Sequence, residues 1–343
     1  MRTLLPTPQP AVGPDGVPAW GVFRLPFREL NLEDARVPGL LRRVRLKEWH
    51  HVALIHPEVY VSVAVVDLKY ATASWVFVHH RDSDHAFEHA VTLAGRRVVL
   101  PSTLWDARWD LDAGPGYRIA GRDHLAAGEH GLDLRIRGAG ERPGIDARLT
   151  FLEDPGRVQP LVAILPLGRN RPMYTHKVPC PARGSITVGT RTYTLDPGRD
   201  LAILDIHKAY YPRTTTWRWA TFAVPDPGGL PTGVNLTRNV IEDDEVHNEN
   251  ALWEGGRLHL LGPARFEVPP DPRAPWRIHT LDGAAELEFR PRGGRTEDRN
   301  LLVASSWYRQ PVGLYSGTVR DGTGREHRFQ DVWGIAEDHR VVW

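Results

Sequence analysis

Cysteine is almost absent. Cys180 stands alone among 343 residues, which excludes an intramolecular disulfide and a thiolate metal cluster. It sits between two prolines in "PCPA" and reads as a plain structural residue, since a reactive thiol needs an electropositive setting. An excess of one charge is also missing: 43 basic side chains face 42 acidic ones. That balance gives no field to attract nucleic acid or an anionic membrane surface. No apolar run reaches membrane-spanning length. The amino-terminal "MRTLLPTPQPAVGPDG" has only two consecutive leucines before proline and glycine intervene, too few for a signal-peptide apolar region. The expectation is a soluble, cytoplasmic protein with no integral membrane segment and no nucleic-acid partner. Phosphate loops, dinucleotide fingerprints and serine nucleophile elbows are missing as well.

Turn-forming residues, by contrast, are abundant. The 32 glycines and 29 prolines recur at short intervals, punctuation that suits many short strands. "YVSVAVVDL", "SITVGTRTYTL", "DLAILDIH" and "ELEFRP" are β-branched or alternating runs bounded by turn residues. The class is therefore mostly β. "LEDARVPGLLRRV" and "DHAFEHAV" are the places for short helices, with Pro38 limiting the first. Two stretches echo each other: Asp67, Lys69, Tyr70 and Trp75 in one, and Asp205, Lys208, Tyr210 and Trp217 in the other. A duplication would produce two related β halves. Glycine, proline and charge break the strand pattern near residue 160, giving expected domains 1–160 and 161–343.

Chemistry concentrates in "DIHKAYYPRTTTWRWATF". Strand alternation places Leu201, Ile203, Asp205 and His207 on one face, with Leu204 and Ile206 on the other. The acid and imidazole are either an acid/base pair or a pin at a strand end. The same alternation aligns Trp217, Trp219 and Thr221, opposite Arg218 and Phe222. Such a tryptophan wall stacks a ligand or stabilises a cation, or else fills a core. Glu249 and Asn250 abut the apolar "ALW", so their buried polar groups bind backbone or face a ligand. Arg309, Gln310 and Tyr315, with Glu337 and His339 further on, read as the polar rim of a cavity or as barrel-end hydrogen bonds. "HHRDSDH" sends His79 and His80 to opposite faces; it reads as a loop, and no metal site is expected.

The ordered blocks "YTHK", "LDIHKAYYPRTTTWRWATF", "GVNLTRNVIEDDEVHNENALW", "RQPVGLYSG" and "GIAEDHRVVW" resemble the family called domain of unknown function 2804, and "LKEWHHVALI" and "VVDLKYA" fit it too. The resemblance runs from about residue 43 to the carboxyl terminus. It implies two lipocalin-like (calycin) β-barrel or sandwich domains packed together, similar to the group of carotenoid hydratase, AttH-like proteins and related cyclases. Asp205, Trp217, Trp219, Asn235, Glu249 and Asn250 carry over as motif members. The run from His207 to Pro212 departs from the "RG" that the family commonly shows before its Tyr/Trp-Pro pair.

These readings converge on a cofactor-independent hydratase, isomerase or cyclase acting on a hydrophobic, isoprenoid- or lipid-like small molecule. Asp205, Glu249 and His207 are the candidate catalytic groups, with Asp205 or Glu249 supplying the proton. Tyr211, Trp217, Trp219, Asn235, Asn250, Arg309, Gln310 and Tyr315 are the candidate ligand-binding residues. A non-catalytic lipid or pigment carrier and a carbohydrate-binding or glycan-hydrolysing protein are the alternatives.

Overall fold

The structure is a computed structural model and is described over residues 2–39, 42–168, 170–301 and 304–343. Strands with apolar residues on both faces dominate it. Leu46–Ile55, Val59–Asp67 and Leu201–Tyr210 are buried almost throughout, so each must be covered from two sides. Two curled sheets supply the cover. The first runs, in spatial order, Ala86–Ala94, Ala71–His80, Val59–Asp67, Leu46–Ile55, Leu201–Tyr210, Pro172–Val188, Ile145–Leu152, Glu129–Ile136, Tyr117–His124 and Ala107–Asp112. The second is built around Thr214–Val224, Glu326–Val342, Ala304–Arg320 and Ala285–Leu301. Among the described residues, strand pairing is antiparallel except between the short Leu4–Leu5 and Gly21–Phe23. The expected mostly-β class with two β parts is what the chain adopts.

Alternation assigns the faces. Ala202 and Leu204 enter the core inside the first sheet with Val178 and Cys180. Leu201 and Ile203 instead pack between the sheets with Trp219 and Ile335. In the second sheet Ala220 and Phe222 point into its own core. Cys180 is fully buried, and burial pushes its thiol well above the ordinary range, as suits a packing residue. His79 lies tilted against the Trp333 ring at 5.4 Å, whereas His80 bonds the Tyr193 hydroxyl at 3.0 Å, so the two imidazoles do face opposite ways.

The two echoing stretches fold differently. Only the first of the echoing stretches folds back as a hairpin, Val59–Asp67 on Ala71–His80. Leu201–Tyr210 already has both edges occupied by Pro172–Val188 and Leu46–Ile55. Thr214–Val224 therefore pairs elsewhere, with Thr232–Arg238 and Glu326–Val342, and the chain passes from sheet to sheet at residues 211–213. Residue 160 lies between strands of the first sheet, which draws on both sides of it. "DHAFEHAV" is strand, not helix: Ala86–Ala94 pairs along the free edge of Ala71–His80 and buries Phe87 and His89 on one side. In "LEDARVPGLLRRV" there is helix at Leu32–Asp34 and Arg42–Arg45; residues 40 and 41 lie outside the described part. Among the described residues no helix is long and apolar enough to cross a membrane.

A buried polar network closes one end of the first sheet. His130 Nδ1 meets Asp123 Oδ1 at 2.8 Å and its Nε2 meets Glu153 Oε2 at 3.1 Å, while His176 Nε2 reaches the same Glu153 oxygen at 3.0 Å. Burial alone lowers the His130 pKa, but Asp123 and Glu153 overcome it and raise it to about 10. Burial likewise opposes ionisation of Glu153, yet His176 and His130 hold it down at about 2. The raised His130 pKa stabilises the fold below its unfolded value near ~6.5, and this contribution fades as pH rises through about 10. The depressed Glu153 pKa contributes above ~4.3 and is lost as pH falls through about 2. Removing one partner of a buried pair costs about 3–5 kcal/mol. Glu153→Leu is therefore expected to lower stability by about that amount near pH 5.5 and by less near pH 9.5, read from urea midpoints.

Candidate functional site

Register sets the side chains of the site in rungs. On the first sheet Asp205 lies opposite Lys177 on one side and His51 on the other, and His207 lies opposite Trp49. On the second, Trp217 faces His339, Trp219 faces Glu337, and Tyr308 faces His339. These positions share the inward faces of the two sheets. Between them lies a cavity of about 270 Å3, bordered by Trp49, Lys177, Asp205, His207, Trp217 and Glu337 among others.

At its polar end four buried side chains meet. Lys177 Nζ is 2.7 Å from Asp205 Oδ1 and 3.9 Å from Glu249 Oε1. His207 Nε2 is 3.4 Å from Asp205 Oδ1 and 3.2 Å from Glu249 Oε1. Trp49 stacks on the His207 ring at 4.6 Å and donates its Nε1 hydrogen to Asp205 Oδ2 at 3.4 Å. Lys177 Nζ lies 4.7 Å over the Trp219 ring, a cation–π contact that desolvation strengthens. Tyr211 and Trp217 continue the wall, stacked against Trp49 at 5.7 and 6.0 Å.

A second group surrounds Glu337. Trp217 Nε1 donates to Glu337 Oε2 at 2.8 Å, and Gln310 Nε2 donates to Oε1 at 2.7 Å. The Tyr308 hydroxyl donates to the same Oε1. The Ser62 hydroxyl donates to Gln310 Oε1 at 3.2 Å and bonds His51 Nε2 at 2.9 Å, so one chain of hydrogen bonds ties the two sheets together behind the cavity.

Burial opposes charge on every group here, and partners decide the outcome. Burial raises the Asp205 pKa, but Lys177 and then His207 outweigh it and bring it down to about 2. Glu249 is lowered by Lys177 and His207 against the same burial penalty. Burial pulls Lys177 down, yet Asp205 and Glu249 raise it, so an ammonium faces two carboxylates. Glu337 is raised by burial, which its three neutral donors only partly offset. Burial lowers His51 to about 4 and His339 to about 3, leaving both neutral at pH 7.

Of the residues singled out in the sequence, Asp205, His207, Glu249, Tyr211, Trp217 and Trp219 all border this one cavity. Gln310 stands behind Glu337. Asn235 holds the site without lining it: its Oδ1 accepts from Trp219 Nε1 and its Nδ2 donates to the Glu249 carbonyl, both at 2.6 Å. The other three lie elsewhere. Asn250 accepts from the Thr237 N–H at 2.6 Å and donates to the Gly262 carbonyl at 2.8 Å. The Arg309 guanidinium sits 5.0 Å over the Trp276 ring. The Tyr315 hydroxyl donates to the Ile335 carbonyl at 2.6 Å, with its ring stacked on Phe222 in the second sheet's core. Sequence reasoning passed over Lys177, Trp49, His51 and Tyr308. Lys177 did carry a signal, as a lysine in the strand-like "YTHKV"; the others depend on register between distant strands. Among the described residues, no group of three or more His, Cys, Asp or Glu is arranged to hold a metal ion.

The family described as "Domain of unknown function (DUF2804)" matches residues 4–343, and the chain belongs to it. Comparison with curated proteins finds no match. Among solved structures, kievitone hydratase from Nectria haematococca is similar at 11% identity, with 90% of this chain and 93% of that one covered and a TM-score of 0.44.

If Lys177 is what allows two carboxylates to be buried together, Lys177→Met should raise the Asp205 pKa from about 2 and destabilise the fold by about 3–5 kcal/mol. A Lys177→Met/Asp205→Asn double variant should recover part of that loss. Carboxyl NMR titration and urea denaturation measure the two effects.

Proposed function

We propose that this DUF2804 protein catalyses proton transfer on a small, largely apolar molecule held between its two sheets, hydrating or shifting a carbon–carbon double bond or closing a ring. The observation that carries this reading is the convergence of Lys177, Asp205, His207 and Glu249, all buried, on the end of a cavity whose other lining mixes aromatic and aliphatic side chains with a few polar ones. A packing role alone gives no reason to bury two acids, an imidazole and an ammonium beside an open space, because each costs desolvation energy.

With Asp205 and Glu249 held ionised, the proton carrier in this reading is His207, which Asp205 positions at 3.4 Å and Glu249 faces at 3.2 Å as the proton acceptor. Its imidazolium gives a proton to an alkene carbon. The π electrons form the new C–H bond, and the adjacent carbon becomes cationic beside the faces of Trp217 and Trp219. Loss of a proton from a neighbouring carbon to Glu249 completes an isomerisation. Addition of water, whose surplus proton passes to Glu249, completes a hydration. Attack by a second double bond of the same molecule, followed by the same proton loss, completes a cyclisation. Each route balances without an added cofactor, and His207 recovers its proton from the carboxylate that received it.

Incubation in D2O with a panel of isoprenoid and unsaturated fatty-acid alkenes, read by mass spectrometry, tests this. Carbon-bound deuterium or a hydrated product is expected with the natural chain. Asp205→Asn and Glu249→Gln should slow its formation by about a hundredfold or more. Tight retention of unaltered ligand, with no label, would instead support the carrier reading. Undiminished turnover in both variants would remove the proposed roles of these acids.

A further inference from the structure

One carboxyl group at the cavity has no ion-pair partner among the described residues. Lys177 answers Asp205 and Glu249 together. The Arg295 guanidinium is already opposed by Glu88, through bonds of 2.7 and 3.2 Å, and by Glu297 at 3.8 Å. Arg299 also points to Glu297, at 3.4 Å. Glu337 is different. Its partners Trp217, Tyr308 and Gln310 are all neutral, and none of the ion pairs among the described residues includes it. Two imidazoles lining the same cavity are engaged elsewhere: His339 turns its Nε2 to the Ser306 hydroxyl at 3.0 Å, and His51 turns its Nε2 to Ser62. A buried carboxyl group thus borders the cavity with no ion pair of its own, an arrangement that is costly to ionise unless something positive visits it.

We infer that the cavity is a receptor for one positive charge, and that its ground-state ligand class is an apolar ammonium, whose head sits among Glu337, Glu249 and the tryptophan faces. Carboxylates and aromatic faces together form the recognised chemistry for an alkylammonium head. The inference rests on the proposed function in using the same ligand cavity, and it deepens that reading: an ammonium resembles the carbocation that proton transfer to an alkene creates there, so a site built for the latter binds the former. Burial has raised the Glu337 pKa, and a bound cation offsets that penalty.

Three probes of equal chain length separate the possibilities: n-octylammonium, octan-1-ol and octanoate, titrated calorimetrically against the intact protein. Octylammonium is expected to bind about tenfold more tightly than octanol, with octanoate weakest. Glu337→Gln should reduce the octylammonium-to-octanol affinity ratio to near one. Octanol binding with no preference for the ammonium, or tighter octanoate binding, would overturn the inference while leaving the ligand cavity intact. Failure of all three probes would overturn the cavity reading and the inference with it. The probe comparison on the natural chain decides the question even if the variant does not fold.

Discussion

A single buried ammonium makes the rest of the site physically tenable. Two carboxylates and an imidazole buried together repel or neutralise each other unless a cation stands among them. Lys177 Nζ, 2.7 Å from Asp205 and 3.9 Å from Glu249, is that cation. Its place follows from register, because the pairing of Pro172–Val188 with Leu201–Tyr210 sets Lys177 directly opposite Asp205. A shift by one residue would turn Lys177 into the core of the first sheet and bring His176 into the cavity. The buried network of His130, Glu153 and His176 opposes such a shift from the other face of the same strand.

The site also depends on the way the chain changes sheets. Leu201–Tyr210 is the last strand of the first sheet, and Thr214–Val224, three residues later, opens the second. Asp205 and His207 thereby sit on one wall of the cavity, and Trp217 and Trp219 on the other, although only ten to fourteen residues separate the two pairs in sequence. A hairpin would have laid these faces side by side. The crossing sets them opposite each other, and it leaves the cavity between them.

Much of this was legible in the sequence, and its limits have a physical pattern. Alternation alone sorted Asp205 and His207 from Leu204 and Ile206, and Trp217 and Trp219 from Phe222, because one strand's faces depend only on local geometry. Burial of Glu249 and Asn250 also followed from their apolar neighbours, although only Glu249 borders the cavity. Trp49, His51 and Tyr308 were not found, since their placement depends on which distant strands pair and in what register. Arg309 and Gln310 show the same limit: adjacent in sequence, they point to opposite faces of Ala304–Arg320, and only Gln310 reaches the bond network behind the cavity. The echo between the two stretches does not extend to their pairing, because a shared strand pattern does not encode whether the second strand finds a free edge.

The central claim is that the two sheets leave a cavity between a buried polar cluster and an aromatic wall. A crystal structure determined under xenon pressure tests this most directly, since xenon occupies apolar cavities that side chains leave open. The account predicts a xenon site between the sheets, in contact with both Trp49 and Trp217, and Lys177, Asp205, His207 and Glu249 grouped at one end of it. Sheets packed side chain to side chain in that region, with no xenon bound and the four polar groups separated, would contradict it.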